Sequence, residues 1–432
     1  MRYPIPHPRS FRVRSFEIWA PRASSRGAHG RERTPLFSTP CGRGEVRPGG
    51  GSVAHVLRGL DGVVAATSGV TQITDERLFY RGIAVEDLFA HSTHEEVIFL
   101  LWEGRLPTAE ELAAFRERLA GEAHVPAELY EFLARLPRTA PPMSLLRALV
   151  DAASLFDGDA EKRTPEARRT VALRLVARMP LFAAAVGRHR AGEDVEAAVR
   201  DAAGDGKLAR AFLRAFRGEE PPEEDVRVLD RTFLLHADHE LNASTFVARS
   251  VASTLSDMYS AIVAAVGALK GPLHGGANEG VMTMLEEIGP EGDWMRYVAD
   301  KLARKERIMG FGHRVYKRGD PRTPLLRSLA REVLSRRGEI VWLELAERIE
   351  AYVAEVKGLK PNVDYYAALV YRGLGIPKEM YPLMFAVART AGWTAHLFEQ
   401  YADNRLIRPR AVYVGPVSVP YVPIEQRDRE RR

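Results

Sequence analysis

Apolar residues recur at helical spacing along most of the chain beyond residue 88, and the runs are long enough to separate from strands. Helices are predicted over 93–104, 108–121 and 142–156, each opening on a Thr or Pro, and over the Ala-rich, one-sidedly apolar run 165–189. The stretch 242–269, NASTFVARSVASTLSDMYSAIVAAVGAL, is the strongest buried-helix pattern, with small residues that let neighbouring backbones approach. Further helices are expected at 277–288, 292–306, 325–337, 341–357, 362–372 and 376–400. Only residues 62–88 read differently, with the β-branched content and turn residues of short strands. Strands and helices do not alternate, so the predicted class is all-α, with a small β ribbon near residues 62–85. No repeat of fixed period is present.

Two Gly-rich breaks, 271–276 and 310–319, interrupt the helical pattern and read as hinges. They set off a smaller domain at 275–370 from the larger helical remainder, 53–274 and 371–432. At 432 residues the chain can bury a sizeable core.

Charge changes the picture at one end only. The chain carries a net +5, but residues 1–52 hold ten Arg and three acids, a net of +7. The remainder is therefore at −2 (+5 less +7), which removes the case for a nucleic-acid binder resting on the body. Pro, Gly and Ser dominate residues 1–52, which are expected to be a disordered leader, a targeting segment, or translated sequence ahead of a start near Val53. The single cysteine, Cys41, lies there, so a disulfide or a Cys-based metal site is not expected in the body, and the expected location is cytoplasmic. No run of 18 apolar residues is free of charge, so no membrane partner is expected.

Four short stretches hold the unusual chemistry. In HADHELN, residues 236–242, His236 and His239 are expected to share a helix face beside Asp238 and Glu240. That spacing admits either satisfied helix-end histidines or a metal site. In GPLHGGANE, residues 271–279, His274 precedes a predicted helix whose free N–H groups would favour a neutral imidazole. A plain turn is the bland alternative. In IMGFGHRVYKRGDPR, residues 308–322, Gly310, Phe311 and Gly312 lead into His313, followed by Arg314, Lys317, Arg318 and Arg322, a set suited to a polyanion. In KPNVDYYAAL, residues 360–369, Asp364 is either a carboxylate at a helix N-terminus or a general base. Arg389 stands on an otherwise apolar helix with no acid at i±3 or i±4, so its anionic partner must come from elsewhere in the fold or from a ligand. Two histidines on Gly-rich turns, a carboxylate and several arginines fit metal-free carbon–carbon bond formation through an enol.

The stretches HADHELNAST, GPLHGGANE, GFGHRVYKRGDPR and PNVD, in this order and spacing, resemble the citrate synthase family, in the short form found in bacteria and archaea. The resemblance runs from LDGVVAA (60–66) to NRLIRPRAVYVG (404–415), and it implies a large and a small helical domain with the active site in the cleft between them. It implies that Asp364 takes a methyl proton from acetyl-CoA, His274 steadies the enol, and His313 protonates the oxaloacetate carbonyl. It gives oxaloacetate binding to His239, Arg322 and Arg389, and to Arg408 entering from the partner subunit of a homodimer. Residues Ile308, Gly310, Phe311, Gly312 and Lys317 would face CoA. No cofactor and no metal is implied, acetyl-CoA being a substrate. The 2-methylcitrate synthases, which take propionyl-CoA, share these motifs, and one methylene changes binding by only about 1–3 kcal/mol. A metal-dependent all-α hydrolase built on His236, Asp238 and His239 is the rival from another class.

Overall fold

The computed structural model describes residues 58–60, 62–200, 202, 204–313, 316 and 318–429. Val64–Arg410 form one compact unit. Of the other unit, the described residues are 58–60, 62–63 and 411–429, and their regular elements are the short 3-10 turns Arg58–Leu60 and Ile424–Arg429. The leader 1–52, with Cys41, lies outside the described residues.

Seventeen α-helices, three short 3-10 turns and three short strands make up the described elements, so the class is all-α as the periodicity predicts. Local chemistry sets several helix starts. Thr93 and Glu96 form a reciprocal capping box on His94–Glu103, and Thr108 and Glu111 do the same for Ala109–Glu122. Pro165–Ala191 starts from Thr164, whose hydroxyl accepts the Ala167 N–H, and stops at Gly192 in the left-handed region. By length and composition this helix could span a membrane, but its most apolar stretch is 89% buried inside the protein. It packs against Ala109–Glu122, Pro142–Ser154, Leu208–Arg217 and Tyr381–Ala402, and is thus a core helix.

One expected helix is two. The 242–269 pattern divides into Ala243–Ala252 and Met258–Leu269, joined by a turn in which Leu255 adopts φ +66°. Asp257 caps the second helix by accepting the Ser260 N–H at 2.9 Å, and the two helices then pack on each other. Helices Val85–His91, Ala127–Ala134, Glu196–Arg200, Leu208–Arg217 and Glu223–His236 lie beyond those expected from the pattern, the first of them overlapping the end of the stretch 62–88 read as strands.

The ribbon is an antiparallel meander of Thr71–Ile73, Leu78–Tyr80 and Ile83–Ala84, with Thr71 opposite Tyr80. Its position matters more than its size. Tyr80 Oη donates to Asp238 O at 3.0 Å, and Thr71 Oγ1 donates to Asp238 Oδ2 at 2.5 Å, so the ribbon holds the turn that follows His236.

Candidate active site

His236 is the last residue of Glu223–His236, and the chain leaves the helix before His239. The two imidazoles therefore do not share a helix face, contrary to the i, i+3 expectation. Glu240 adopts φ +51°, a strained value for a residue with a side chain. Asp238 holds this turn: its Oδ2 accepts from Thr71, from Glu240 N–H at 3.1 Å and from His396 Nε2 at 3.1 Å. His239 is left with Nε2 buried and unpaired, and burial first, then the charge of Arg322, pushes its pKa well below the usual value. Its ring lies 5.4 Å from that of His313.

The glycines around His274 serve the backbone. A side chain on Gly275 would put Cβ 2.5 Å from Leu269 O, the carbonyl to which Gly275 N–H donates at 2.9 Å, so only glycine lets the loop close onto the preceding helix. His274 is held by the start of Ala243–Ala252. Ser244 N–H donates to His274 Nε2 at 3.3 Å, and Ser244 Oγ lies 2.8 Å from the same nitrogen. Because Nε2 accepts from the backbone, the proton of the neutral ring sits on Nδ1. Ser244 Oγ is itself fixed, by Asn242 Oδ1 at 2.8 Å and Trp393 Nε1 at 3.1 Å. The His274 pKa is pushed down to about 4, by burial first and then by the Arg389 charge. The ring is neutral, as expected, but the larger causes are tertiary rather than a neighbouring helix end.

The 308–322 and 360–364 segments form one piece. Phe311 pairs with Pro361 in a single antiparallel bridge, Gly312 N–H donates to Lys360 O at 3.0 Å, and Asn362 N–H donates to Gly310 O at 2.8 Å. Asn362 Nδ2 adds a bond to Gly312 O at 3.1 Å, while its Oδ1 caps the Val363–Gly373 helix by accepting Asp364 N–H at 3.1 Å. Gly310 sits at φ +80°, where an added Cβ would stand 2.6 Å from Tyr365 Cδ2 and 2.7 Å from Val281 Cγ2. The structure thus fixes Asp364 relative to His313.

Asp364 is buried, with Oδ1 unpaired, and burial pushes its pKa up to about 7 against the opposing charges of Arg322 and Arg389. His313 accepts the Tyr316 N–H on Nδ1 at 3.1 Å, which leaves the proton of the neutral ring on Nε2, 3.9 Å from Asp320 Oδ2. Burial lowers its pKa, and the Asp320 charge opposes that. Arg322 already has a carboxylate partner, with Nε and Nη2 on Asp320 at 2.9 and 2.7 Å and Nη1 turned toward Leu235 O at 3.4 Å. Burial alone would raise the Asp320 pKa, but Arg322 holds it well below the carboxylate range. Arg389 is different. It is 1% exposed, donates from Nε to His236 O at 2.7 Å, and among the described residues forms no salt bridge, the charge of Asp238 acting on it from further off. Burial brings its pKa down to about 10.

Not every expected residue joins this cluster. Arg408 lies on the irregular segment after Tyr381–Ala402, is exposed, and among the described residues makes no hydrogen bond or salt bridge. Ile308 is buried, Phe311 packs its ring 4.7 Å from Tyr365, and the Gly310 and Gly312 backbones brace Asn362. Lys317 lies outside the described residues. Three contributors go beyond the expected set: Ser244, Asp320 and His396. Asp320 could be found from its place two residues before Arg322, whereas Ser244 and His396 act across 30 and 158 residues. Among the described residues no group of three His, Cys, Asp or Glu side chains is placed to hold a metal ion.

A neutral imidazole donor, a second imidazole with its proton on Nε2, a carboxyl poised near neutrality and a buried cation outside any salt bridge among the described residues can together enolise a thioester and hold an anionic carbonyl acceptor. The family model for the citrate synthase C-terminal domain matches residues 59–410. Citrate synthase 2 of Bacillus subtilis is 49% identical over 372 residues, covering 86% of this chain and 99% of that protein. 2-Methylcitrate synthase 1 of Corynebacterium glutamicum is 40% identical, covering 87% of this chain and all of that one. The citrate synthase of Thermoplasma acidophilum, solved as a ternary complex with carboxymethyl coenzyme A and oxaloacetate, superposes with TM-score 0.79 at 34% identity, covering 85% and 98% of the two chains. Motifs, helical architecture and near full-length similarity agree that the chain belongs to the citrate synthase family, a family of acyl-transferring enzymes.

Proposed function

We propose that this enzyme condenses acetyl-CoA with oxaloacetate and hydrolyses the resulting citryl-CoA, with Asp364 as the base. The Asp364 carboxylate takes a proton from the acetyl methyl group, and the C–H electrons move onto the thioester oxygen. His274 donates a hydrogen bond from Nδ1 to that oxygen, the tautomer that Ser244 enforces. The enol carbon then attacks the oxaloacetate carbonyl, whose oxygen receives the Nε2 proton of His313. Water finally attacks the citryl thioester, releasing citrate and CoA as its thiol. His239 donates to oxaloacetate, and Arg389 takes one of its carboxylates, which supplies the missing counter-charge. Arg322, braced by Asp320, keeps its remaining N–H groups for the same substrate.

The observation that carries this reading is the buried Asp364 carboxyl, pushed up to about 7 on a helix start that Asn362 ties to the His313 loop, with His274 and His313 both in neutral tautomers. In the proposed domain division, 275–370 forms the small domain and closes on oxaloacetate. It carries His313, Arg322 and Asp364, while His239, His274 and Arg389 come from the large one. Exposed Arg408 enters the site of a second copy, making the working unit a homodimer, and a cytoplasmic location goes with this reading. The reaction needs no cofactor, and Ile308, Phe311 and Lys317 are assigned to the CoA side.

Thiol release with oxaloacetate and either acetyl-CoA or propionyl-CoA tests the assignment. A higher kcat/KM for acetyl-CoA is expected. Preference for propionyl-CoA would make the enzyme a 2-methylcitrate synthase, and no thiol release with either would refute both.

A further inference from the structure

Several polar atoms near the site are buried without a partner, and substrate does not account for all of them. His239 Nε2 and Asp364 face substrate in the proposed reaction. His236 Nε2 and Tyr371 Oη have no such role, yet both are buried and unpaired, as is Asp364 Oδ1. Buried polar groups in folded proteins are nearly always satisfied, by protein or by ordered water.

The three groups belong together. Tyr371 lies seven residues beyond Asp364 on Val363–Gly373, two turns along the same face and about 10 Å along the axis. Side chains on a helix lean toward its N-terminus, so the Tyr371 phenol leans back toward Asp364. The Asp364 charge acts on the Tyr371 hydroxyl. The Tyr371 ring also stands 6.5 Å from the His236 ring. His236 donates from Nδ1 to Thr232 O at 2.8 Å, so its Nε2 is a lone-pair acceptor in the neutral ring. The set is then two acceptors, Asp364 Oδ1 and His236 Nε2, and one donor, the Tyr371 O–H.

One water molecule complements that set: it donates two hydrogen bonds and accepts one. We propose that a single buried water is bound behind Asp364 by Tyr371 Oη, His236 Nε2 and Asp364 Oδ1, and that Tyr371 and His236 thereby act as positioning residues for the base. The proposal rests on Asp364 being that base. The water hydrogen on Oδ1 stabilises the carboxylate, and the Tyr371 hydroxyl strengthens that donor by polarising the water. The other charged groups around the assembly are Arg322, Arg389 and Asp320, with Tyr381 and Phe385 packed beside the Tyr371 and His236 rings.

The test is Tyr371→Phe, which removes the donor and keeps the ring. Losing support for the carboxylate disfavours its charged form, so the acid limb of the kcat–pH profile should move up by about one pH unit. Turnover at pH 6 should then fall about tenfold, turnover at pH 9 should be unchanged, and KM for oxaloacetate should stay within about twofold. A profile superimposable on wild type, or an equal loss at every pH, would overturn the proposal, the latter because it marks a packing defect. A high-resolution crystal structure gives a second readout: a water bonded to all three atoms supports the assignment, and a direct Tyr371–His236 hydrogen bond with no water refutes it. Asp364→Asn separates the two levels. Wild-type turnover in that variant removes the base and the proposal with it, whereas loss of turnover beside an unshifted Tyr371→Phe profile overturns the water alone.

Discussion

Replacing Asp364 by Asn should abolish turnover and stabilise the protein, and the second effect has a calculable pH dependence. Burial moves the Asp364 carboxyl from 3.8 to about 7, so the folded state holds this proton more tightly than the unfolded chain does. A raised pKa contributes stability that is fully present below the unfolded value, is lost as pH rises, and is gone above the folded value. The window is therefore about pH 4 to 7. The shift of roughly three units, at 1.36 kcal/mol each, makes the ionised carboxylate a burden on the order of 4 kcal/mol at pH 8. Asn keeps the shape without the charge. The variant should equal wild type near pH 4, gain about 1.4 kcal/mol per pH unit between 5 and 7, and level off above. With an unfolding entropy of about 2 cal/mol/K per residue, this corresponds to a Tm raised by roughly 4 to 5 °C at pH 8. Thermal unfolding of both proteins from pH 5 to 9, beside a thiol-release assay, measures the two effects together. A stability difference that does not change with pH, or a variant less stable than wild type at pH 8, would show that the carboxyl is not burdened by burial. Turnover above about one per cent of wild type would remove it as the base.

Three further outcomes concern Arg389, Gly310 and Arg408. Arg389→Gln should lower kcat/KM for oxaloacetate by at least about a hundredfold and abolish the Tm increase caused by oxaloacetate, because a substrate carboxylate loses the buried guanidinium that pairs with it. A full oxaloacetate-induced shift in the variant would assign the substrate carboxylate elsewhere. Gly310→Ala places Cβ against Tyr365 and Val281 at a left-handed backbone position, which should cost roughly 2–4 kcal/mol and lower kcat through the linked Asn362 cap. Equal stability and activity would deny that the Gly310 bracing matters. Arg408→Ala and Asp364→Asn should each be inactive, but refolding the two together should recover activity if Arg408 serves its neighbour, since the hybrid dimer then holds one site with both residues intact. No recovery would put Arg408 in its own subunit's site.

Much of the architecture was legible because core helices repeat their apolar residues at 3.6 positions, as over Pro142–Ser154 and Ala277–Ile288. The break inside 242–269 was not. Ser253–Asp257 continue the small and polar pattern of their neighbours, and only Leu255 in the left-handed region and the cap on Asp257 divide the helix. The 236–239 pair failed for a similar reason: i, i+3 spacing implies a shared face only where the helix continues, and here it ends at His236.

The site shows where motif reading stops. Residue types within one stretch were readable, since His313, Asp320 and Arg322 lie within ten positions and contact one another. Protonation was not, because it depends on atoms remote in sequence. Ser244 decides which nitrogen of His274 carries the proton, and burial by several helices decides that the ring is neutral and the Asp364 carboxyl titrates near 7. The ribbon that looked incidental supplies Thr71 and Tyr80, which with His396 pin Asp238 and so hold Glu240 in its strained turn. Chemistry in this protein is therefore set by residues that carry none of it. A Thr71→Val variant, which removes one donor to Asp238 and adds no bulk, should accordingly raise KM for oxaloacetate while leaving the Asp364 limb of the pH profile in place.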